Sequence, residues 1–449
     1  MNVRKLALET LCKCETAAQY ANLALDSKIK KYSLSGDDRS LFTVLVYGTI
    51  EHKLTLDYYI KLLSSVPKEK IDNDTRNILR LGLYQIIYML TADHAAVNET
   101  VALAPMRSRG FVNAILRNYL RKKDSLAFPS KEKEPARALS VEYSFPEATC
   151  QRFCECFGTG DAEKLMAAMC RPSPLTLRVN TLVISRDEFI KKLENEGIKA
   201  TATDLAPNGV RLSENIPYSE LENRFGGMFF VQDEASQLAV ASLGARSGET
   251  VIDMCSCPGS KSFGAALDMN DSGKILSFDI SKSKLPLISS GAERLGIHII
   301  TANVKDGREP IEELFGQADR IICDVPCSGF GVVAKKPDIR YKDISMADGL
   351  PSIQYDILCN AARYLKVGGT LIYSTCTVLP AENFDNIERF LLEHKNSSSN
   401  GDAEFELSPI NAGALTVDCG YITLLPHVHG TDGFFICKLK RIAPPKGNE

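Results

Sequence analysis

Residues 249–269, ETVIDMCSCPGSKSFGAALDM, decide the fold of this chain. An apolar run ends at Asp253, a turn containing Gly259 follows, and apolar residues then recur at helical spacing. This order predicts a strand, a tight turn and a helix, and the glycine allows the turn to approach a ligand closely. The stretch lacks both the Gly-x-Gly-x-x-Gly and the P-loop patterns, so it does not indicate a phosphate site.

Residues 246–449 continue the same alternation of strands and helices. The further strand-like runs are KILSFDI, HIITANV, DRIICDV and GTLIYST, and GFFICKLKR is expected to be the last strand. Helical stretches follow most of these runs, and KNSSSNGDAE is expected to be a flexible loop. The alternation predicts a doubly wound parallel sheet, and hence a Rossmann-like α/β domain.

Polar residues stand at the carboxyl ends of the predicted strands, where open α/β sheets bind their ligands. They are Asp253, Asp279, Asp306, Asp324 and the run Ser374-Thr375-Cys376. A carboxylate at the end of the second strand, Asp279, is suited to bind a ribose diol. A single aspartate at such a place is equally often the N-cap of a helix, so the repetition across strands is what favours a site.

Two cysteines, Cys327 and Cys376, follow neighbouring strands of the predicted sheet. Alone, each would more often be a small buried apolar residue. A cysteine thiolate is also a nucleophile suited to attack C6 of a pyrimidine, which allows C5 to accept an electrophilic methyl group. A second thiol or base would then be useful for removing the C5 proton or for helping the enzyme to leave.

The N-terminal residues 1–123 have apolar residues at helical spacing and predict an independent all-α domain. Its last helix ends in the basic run Arg121, Lys122 and Lys123. Residues 1–124 hold 19 lysines and arginines against 13 aspartates and glutamates, a balance of +6, whereas the whole chain is −3 and the remainder therefore −9. This distribution fits contact with a polyanion, although a solvated helical surface would give the same balance.

The polar residues 124–145, which include Pro129 and Pro135, predict a linker. Residues 146–245 are expected to begin with short helices and to continue as a β-α-β-β pattern, which is typical of a small α/β module similar to an RNA-recognition fold. The helix of this module, SRDEFIKKLENEG, has Ser185 as its predicted N-cap and Gly197 as its stop.

The composition is that of an ordinary globular protein, with 44% hydrophobic and 24% charged residues. No apolar run approaches the roughly 18 residues that would span a bilayer, and the first residues show no signal-peptide pattern, so a cytoplasmic protein is expected. There are 14 cysteines but no Cys-x-x-Cys pair. We therefore expect neither a disulfide framework nor a bound metal.

Three motifs give this sequence a family resemblance. DMCSCPGSKS, CDVPCSGFGVVAKKPDIRY and STCTVLPAENFDNIERFL resemble the cofactor, Pro-Cys and Thr-Cys motifs of RNA cytosine-5 methyltransferases. LRVNTL and FVQDEASQLAV resemble their pre-catalytic module, and HAAVNETVALA with RGFVNAILRN makes residues 1–123 similar to the NusB fold. A NusB-like domain fused to such a body resembles the bacterial 16S rRNA cytosine-5 methyltransferases over nearly the whole chain.

The resemblance implies a role for each matching residue. Cys376 would be the nucleophile, Cys327 would assist release of the methylated base, and Asp324 would contact the base or the cofactor amine. Lys261 would orient Asp324 or the base, and the stretch with Arg178 and Asn180 would contact RNA. The residues implied to hold S-adenosylmethionine are Cys255, Ser256, Cys257, Pro258, Gly259, Ser260, Lys261, Asp279, Asp306 and Asp324. The implied partner is small-subunit ribosomal RNA before full assembly, bound by a monomer and without a membrane.

The cofactor motif departs from the family pattern. Ser256 and Cys257 replace two alanines, Ser260 replaces the second glycine, and Ser262 replaces a threonine. A serine at position 260 is expected to take the φ angle that glycine used, at a conformational cost.

Two other classes of function compete with the resemblance. A DNA cytosine-5 methyltransferase would use Cys327 as its nucleophile and would leave Cys376 unexplained. An RNA-assembly factor with a decayed catalytic body would have little reason to keep both cysteines and three strand-end aspartates.

Overall fold

The computed structural model describes residues 2–16, 21–89, 91–214, 216–396 and 404–442. The helices are α1 (Val3–Thr16), α2 (Ala21–Tyr32), α3 (Gly36–Glu51), α4 (Lys53–Leu63), α5 (Asn73–Tyr88), α6 (Asp93–Leu103), α7 (Met106–Lys122), α8 (Pro135–Tyr143), α9 (Glu147–Phe157), α10 (Thr159–Met169), α11 (Arg186–Asn195), α12 (Tyr218–Phe225), α13 (Glu234–Leu243), α14 (Ser260–Asp268), α15 (Leu285–Leu295), α16 (Leu350–Tyr364), α17 (Phe384–Asn396) and α18 (Pro426–His429). The strands are β1 (Thr176–Val179), β2 (Ala200–Ala202), β3 (Gly209–Leu212), β4 (Phe229–Val231), β5 (Thr250–Asp253), β6 (Lys274–Asp279), β7 (Ile300–Val304), β8 (Ala318–Asp324), β9 (Leu365–Thr375), β10 (Phe405–Leu407), β11 (Ile410–Ala412), β12 (Leu415–Val417), β13 (Tyr421–Leu424) and β14 (Phe434–Arg441).

The chain divides into two compact units. The first runs to Arg171 and also contains the segment Val333–Ile344, and the second comprises Pro172–Val332 and the chain from Ser345 onward. The first unit is helical, as predicted, and α1 to α7 share one apolar core. The stretch predicted as a linker contains α8, which begins at Pro135 because proline has no N–H to lose in a first helical turn.

The helix α8 packs on α4 through two hydrogen bonds. The hydroxyl of Thr55 donates to the carbonyl of Val141 at 2.6 Å, and the N–H of Leu54 donates to the hydroxyl of Ser144 at 2.8 Å. Together with α9 and α10, this helix extends the first compact unit well beyond residue 123. The second half of the predicted linker, 124–145, therefore contains a helix that belongs to the first compact unit.

The second unit begins with the small α/β module. Its sheet has the antiparallel order β2-β3-β1-β4 and carries α11 and α12. A capping box confirms Ser185 as the N-cap of α11, because its hydroxyl accepts the N–H of Glu188 while the Glu188 carboxylate accepts the N–H of Ser185. Gly197 follows the end of this helix with φ +77°, as its predicted role as a stop requires.

The main sheet of the second unit has the order β10-β14-β9-β8-β5-β6-β7, with β13 also paired to β14. The five strands β5 to β9 are parallel, which confirms the predicted doubly wound sheet. The chain reverses its direction of winding at β5, which lies between β8 and β6. This switch point is where the fold class binds its ligands.

Alternate residues of the parallel strands belong to two separate cores. Val251 and Ile275 pack with α13, α14 and α15, whereas Ile252 and Leu276 pack with α16 and α17. This alternation follows from the two-residue period of a strand and explains why the strands have continuous apolar runs. The antiparallel additions β10 and β13 and the hairpin β11–β12 were not predicted, because strands of three or four residues carry too little alternation.

Most of the predicted loop KNSSSNGDAE lies outside the described residues. In the part of the chain that the structure describes, no helix is long and apolar enough to cross a membrane. The same described residues include no group of three or more histidine, cysteine or carboxylate side chains that could hold a metal ion.

Candidate active site

Five parallel strands end at the same edge of the main sheet. Asp253, Asp279, Asp324 and Thr375 are the last residues of β5, β6, β8 and β9, and Asp306 follows the end of β7 by two residues. The pairing register brings Asp324 directly beside Ser374 on the neighbouring strand. The edge therefore carries acidic, hydroxyl and thiol side chains on adjacent strand ends.

The two cysteines of the strand ends are in contact. The Sγ atoms of Cys327 and Cys376 lie 3.1 Å apart, and the N–H of Cys376 donates to the Cys327 sulfur at 3.3 Å. The hydrogen bond to Cys376, together with burial, raises the pKa of the Cys327 thiol well above its usual range. Cys327 therefore keeps its proton at neutral pH and can donate it to the sulfur of Cys376.

A buried ion pair lies near the thiols. The Lys261 ammonium is 2.6 Å from Oδ2 of Asp324, and the hydroxyl of Ser374 donates to Oδ1 of the same carboxylate at 2.7 Å. Burial works to lower the pKa of Lys261, but the charge of Asp324 outweighs it and the pKa is raised. Lys261 is thus a fixed cation, and Asp324 is held in one orientation.

The loop that carries Cys327 is held in place by the side chain of Glu382, which is 1% exposed. One carboxylate oxygen accepts the N–H of Ser328 at 2.9 Å and the amide of Gln354 at 2.8 Å, and the other accepts the Ser328 hydroxyl at 2.5 Å. The sequence analysis assigned no role to Glu382, although its position in the Glu-Asn pair after the Thr-Cys motif could have indicated one.

Two glycines fix the loop of Cys327 against the loop of Cys376. The N–H of Gly331 donates to the carbonyl of Cys376, and the N–H of Gly433 donates to the carbonyl of Gly331, both at 2.9 Å. A Cβ atom on Gly331 would lie 1.8 Å from the carbonyl oxygen of Gly433. Only glycine fits there, and the close backbone contact leaves the two thiols little freedom to separate.

The turn between β5 and α14 is built on Asp279. Its Oδ2 accepts the N–H of Cys257 at 3.1 Å, and its Oδ1 accepts the N–H of Ser281 at 2.9 Å. Ser256 donates its hydroxyl to the carbonyl of Phe278 at 2.9 Å, and Cys257 and Pro258 are joined by a cis peptide bond. Asp279 therefore caps the turn, with each of its two carboxylate oxygens accepting one backbone N–H.

The conformational cost expected at Ser260 is not found. Ser260 is the first residue of α14 and is absent from the non-glycine residues with positive φ, whereas Gly259 has φ +112°. The turn thus places its left-handed conformation on the glycine that the sequence retains. A Cβ on Gly259 would in addition lie 2.5 Å from the ring of Phe263.

Asp253 is fully buried at the end of β5. The sequence analysis counted it among the strand-end residues but assigned it no individual role. Ser262 donates its hydroxyl to Asp253 Oδ2 at 2.6 Å and shares a second hydrogen bond with the hydroxyl of Ser277 at 2.8 Å. The serine at 262 thus keeps the hydroxyl of the threonine that it replaces. Burial raises the pKa of Asp253 from 3.8 to about 7, and the Asp253 Oδ1 atom has no hydrogen-bond partner among the described residues.

We expect Asp253→Asn to change how stability depends on pH. Because the folded-state pKa is raised, the folded protein holds a proton that the unfolded chain releases between about pH 4 and pH 7, so this residue makes stability fall as pH rises through that window. The variant lacks this loss, which could reach about 4 kcal/mol for a shift of this size. Thermal unfolding measured at pH 5 and at pH 8 should show the unfolding temperature of the variant increasing relative to that of the wild type on going from pH 5 to pH 8. Asp187→Asn, which removes an exposed carboxylate, is the control. A stability difference between Asp253→Asn and the wild type that does not change with pH would contradict the expectation.

The remaining residues implied to hold a cofactor differ in their availability. Burial raises the pKa values of Cys255 and of Cys257, the latter to about 12, so both are neutral thiols. The carboxylate of Asp306 is paired with the guanidinium of Arg308 at 2.6 Å, which lowers its pKa. Asp306 is therefore ionised but already has a strong partner.

The prediction that Arg178 and Asn180 contact RNA is wrong. Both are buried, and Arg178 donates to the carboxylate of Asp268 at 2.6 Å and to the carbonyl of Gly264 at 3.1 Å. The amide of Asn180 donates to the carbonyls of Gly227 and Leu295. These residues hold elements of the second unit together. The basic run 121–123, in contrast, is exposed at the end of α7.

Comparisons with known proteins agree with this architecture. The model of a family described as 16S rRNA methyltransferase RsmB/F matches residues 240–440, that of the NusB family matches residues 1–121, and that of the ferredoxin-like domain of RsmF/B-like methyltransferases matches residues 145–219. The predicted fold classes of the three parts are thereby confirmed.

The similarity extends over the whole chain. The "Probable ribosomal RNA small subunit methyltransferase B" of Bacillus subtilis (strain 168) is 38% identical over 454 residues, which cover 98% of this chain and 99% of that protein. The ribosomal RNA small subunit methyltransferase B of Photorhabdus laumondii is 30% identical, over 91% and 92% of the two chains. The crystal structure of PH0851 superposes with a TM-score of 0.78 at 25% identity, over 98% of this chain and 99% of that one.

Proposed function

We propose that this chain, which belongs to the 16S rRNA methyltransferase RsmB/F family, methylates carbon 5 of a cytosine in 16S ribosomal RNA through a covalent adduct of Cys376. The observation that carries the proposal is the contact between two thiols, one of them held protonated, beside a buried Lys261–Asp324 pair. A single buried cysteine would be explained by packing, but packing does not explain a thiol pair flanked by a fixed cation and a carboxylate.

In the proposed reaction, the Cys376 thiolate attacks C6 of the cytosine. The Sγ–C6 bond forms, and the electrons of the C5–C6 double bond become available at C5, which takes the methyl group. The C5 proton is then taken up by water, the electrons of the C5–H bond form the C5–C6 double bond again, and the Sγ–C6 bond breaks with its electron pair returning to Cys376 as the thiolate. Cys327, which retains its proton, donates a hydrogen bond to the departing thiolate and so assists this last step.

Asp324 is proposed to face the amidine edge of the base, where its orientation is fixed by Lys261 and Ser374. A carboxylate with two such partners cannot rotate freely, so it can position a base without reorganising during the reaction. Lys261 is a positioning residue in this scheme, since its ammonium is committed to Asp324. Its ammonium also lies 5.3 Å from the centre of the Phe434 ring.

S-adenosylmethionine is the proposed methyl donor, and when bound it supplies the methyl group of its sulfonium. The residues present fit such a ligand. Asp279 retains acceptor capacity for ribose hydroxyls, Gly259 allows the turn to approach closely, and the buried Oδ1 of Asp253 has no partner in the described chain. Residues 255–261 would form the turn that holds the ligand, and Asp306 and Asp324 would also help to hold it.

The parts of the chain divide the proposed work. Residues 1–123 and the module at 146–245 would hold RNA, the stretch 124–145 would join them, and residues 246–449 would perform the transfer. The target cytosine must be unstacked to enter a pocket, so the substrate would be 16S RNA before assembly buries the site. The protein would act as a monomer in the cytoplasm.

The direct test is transfer of radiolabel from S-adenosylmethionine to transcribed 16S RNA, followed by bisulfite sequencing of the product. We expect label in RNA and one protected cytosine, which a deletion strain should lack. Label in DNA but not RNA would favour a DNA methyltransferase. The complete absence of label, with RNA still bound, would favour a decayed assembly factor.

Asp279→Ala is expected to weaken S-adenosylmethionine binding by about 10- to 100-fold. The loss of a charge-assisted hydrogen bond to a ribose hydroxyl costs about 1.5–3 kcal/mol. Isothermal calorimetry measures the affinity, and Asp279→Asn provides the matched control because the amide oxygen can still cap one backbone N–H of the turn. Equal affinity of all three proteins would show that Asp279 is a turn cap and nothing more.

A further inference from the structure

The first unit carries a surface on which aromatic rings and lysines occur together and which the proposed chemistry does not use. The helix α7 ends at Lys122, and a 3-10 turn at Lys123–Ser125 leads the chain to Phe128. Phe128 packs on α4, where its ring centre lies 6.0 Å from that of Tyr58 and 5.8 Å from that of Tyr59. The end of α7 and one face of α4 are therefore neighbours on this surface.

The ring of Phe128 is held in one orientation and is also accessible. It lies at 76° to the ring of Tyr58 and at 42° to that of Tyr59, and the Tyr58 hydroxyl donates to the carbonyl of Ala127 at 2.9 Å. Phe128 is nevertheless 38% exposed, and Leu62, which lies one turn after Tyr58 on the same face of α4, is 46% exposed. The ring thus belongs to an apolar patch, and such patches mark binding sites more often than single exposed residues do.

Two lysines at the end of α7 lie next to these rings. Lys122 and Lys123 follow Tyr119 by three and four residues, so they lie on the same side of the helix as this tyrosine. The ring centre of Tyr119 is 5.2 Å from that of Tyr59, which belongs to α4. Both lysines are exposed, and they are therefore placed at the edge of the aromatic cluster.

A third lysine adds to the positive charge. Lys61 is exposed and follows Tyr58 by three residues, so it lies on the same face of α4. Across the ranges that the structure describes, Lys61, Lys122 and Lys123 form no salt bridge. Asp124, directly after Lys123, is the only carboxylate in the stretch that connects α7 to the exposed ring. Positive charge therefore exceeds negative charge on these segments.

Lysines without salt bridges beside an exposed ring favour a nucleic acid over a protein as the partner. Lysine is depleted from the cores of protein–protein interfaces. Proteins that bind single-stranded nucleic acids, in contrast, combine cationic side chains along the backbone with aromatic rings on which bases stack. A duplex offers the phosphates but not the bases, because its bases are already stacked on one another. The surface therefore fits RNA with at least one unpaired nucleotide.

We propose that this aromatic–lysine patch, made up of Tyr58, Lys61, Lys122, Lys123 and Phe128, binds a single-stranded stretch of 16S RNA. One base stacks on Phe128, and phosphates of the same strand bind to the three lysines. The inference rests on the proposed function and deepens it, because it gives the first unit a defined RNA site. It also predicts that this site selects unpaired RNA, which charge alone would not do.

The test measures RNA binding by full-length variants. Fluorescence anisotropy with a labelled single-stranded fragment of 16S RNA, over a series of salt concentrations, gives the affinity and its salt slope. Phe128→Leu keeps an apolar side chain against the two tyrosines but removes the stacking ring, so we expect about tenfold weaker binding with an unchanged slope. Lys122→Ser/Lys123→Ser removes two charges, and we expect the slope to fall by about one, since each phosphate contact on a single strand contributes roughly 0.7.

The helix α2 offers a matched control, because Lys30 and Lys31 are an exposed lysine pair followed by Tyr32, which is 39% exposed. Tyr32→Leu and Lys30→Ser/Lys31→Ser remove the same kinds of group and should leave the affinity and the salt slope at wild-type values. Annealing the fragment to its complement should abolish the effect of Phe128→Leu, because a duplex has no free base to stack. Thermal unfolding of each variant shows that the fold is kept.

Three outcomes would overturn the proposal. Equal losses in the patch variants and the control variants would indicate a diffuse charge effect. Wild-type affinity and slope in both patch variants would favour a protein partner for this surface. An effect of Phe128→Leu that persists on the duplex would exclude base stacking. Methyl transfer by the wild type is measured in parallel, so a protein that binds RNA through the patch but transfers no label would contradict the proposed function and leave the patch standing.

Discussion

Cys376→Ala is expected to abolish methyl transfer to RNA, with a loss of about 10⁴-fold or more, while leaving the fold and S-adenosylmethionine affinity intact. The size of the loss follows from the loss of the covalent route, since no other thiol can replace the nucleophile. Cys327 lies 3.1 Å away in the wild type, and its pKa is raised first by the hydrogen bond to Cys376, which this variant loses, and then by burial, which remains and still disfavours its thiolate. Radiolabel transfer under single-turnover conditions measures the loss.

The control for this experiment is Cys359→Ala, a half-buried thiol on α16 whose pKa burial raises to about 11. That variant should methylate at the wild-type rate. Cys376→Ser serves as a second variant that preserves volume, and calorimetric binding of S-adenosylmethionine shows that the second unit is folded. Methylation by Cys376→Ala at more than a few per cent of the wild-type rate would eliminate Cys376 as the nucleophile.

The sequence was sufficient to predict the sheet and most of what lies on its edge. Runs such as KILSFDI and DRIICDV carry an aspartate as their next-to-last residue because a parallel sheet buries its middle and exposes its strand ends. From the sequence alone, that rule predicts that Asp279, Asp324 and Cys376 lie at one edge of the sheet. It does not distinguish a ligand-binding carboxylate from a turn cap, and Asp279 is already a cap for the N–H groups of Cys257 and Ser281.

The features that could not be predicted from the sequence depend on contacts between residues that lie far apart in the chain. Arg178 was expected to contact RNA because its stretch resembles the pre-catalytic module of the family, yet it is buried against Asp268 and Gly264, some 90 positions later in the chain. Arg340 likewise belongs to a segment that packs among helices α3, α8 and α10 of the first unit. No periodicity in the segment itself indicates those partners.

Glu382 illustrates an intermediate case. Its position after the Thr-Cys motif is visible in the sequence, but its function depends on the N–H and hydroxyl of Ser328, which lie 54 positions earlier. A buried carboxylate with such partners orients the Cys327 loop rather than reacting. The structure thus separates the groups that would touch the base, Cys376 and Asp324, from those that position them, Lys261 and Glu382.

Cys327→Ala is expected to give the opposite phenotype to Cys376→Ala, namely an accumulated covalent complex with RNA. In the proposed reaction, the Cys327 thiol, whose sulfur lies 3.1 Å from that of Cys376, donates a hydrogen bond to the Cys376 thiolate as it leaves C6 and so stabilises it. Removing a hydrogen bond to a charged group costs about 1.5–3 kcal/mol, which slows release by about 10- to 100-fold. Attack on C6 does not need that donor, so the adduct forms and persists.

Denaturing gel electrophoresis with end-labelled 16S RNA and S-adenosylmethionine detects the adduct as a band of reduced mobility that resists boiling and reducing agent, since the bond is a thioether and not a disulfide. Digestion with ribonuclease should return the protein to its normal mobility. The double variant Cys327→Ala/Cys376→Ala must give no such band, because the sulfur that forms the bond is gone. A stable band with Cys376→Ala instead would mean that the two thiols have exchanged roles. Normal turnover by Cys327→Ala would reduce Cys327 to a packing residue, and the proximity of the two sulfurs would then reflect only the clamp that Gly331 and Gly433 place on their loops.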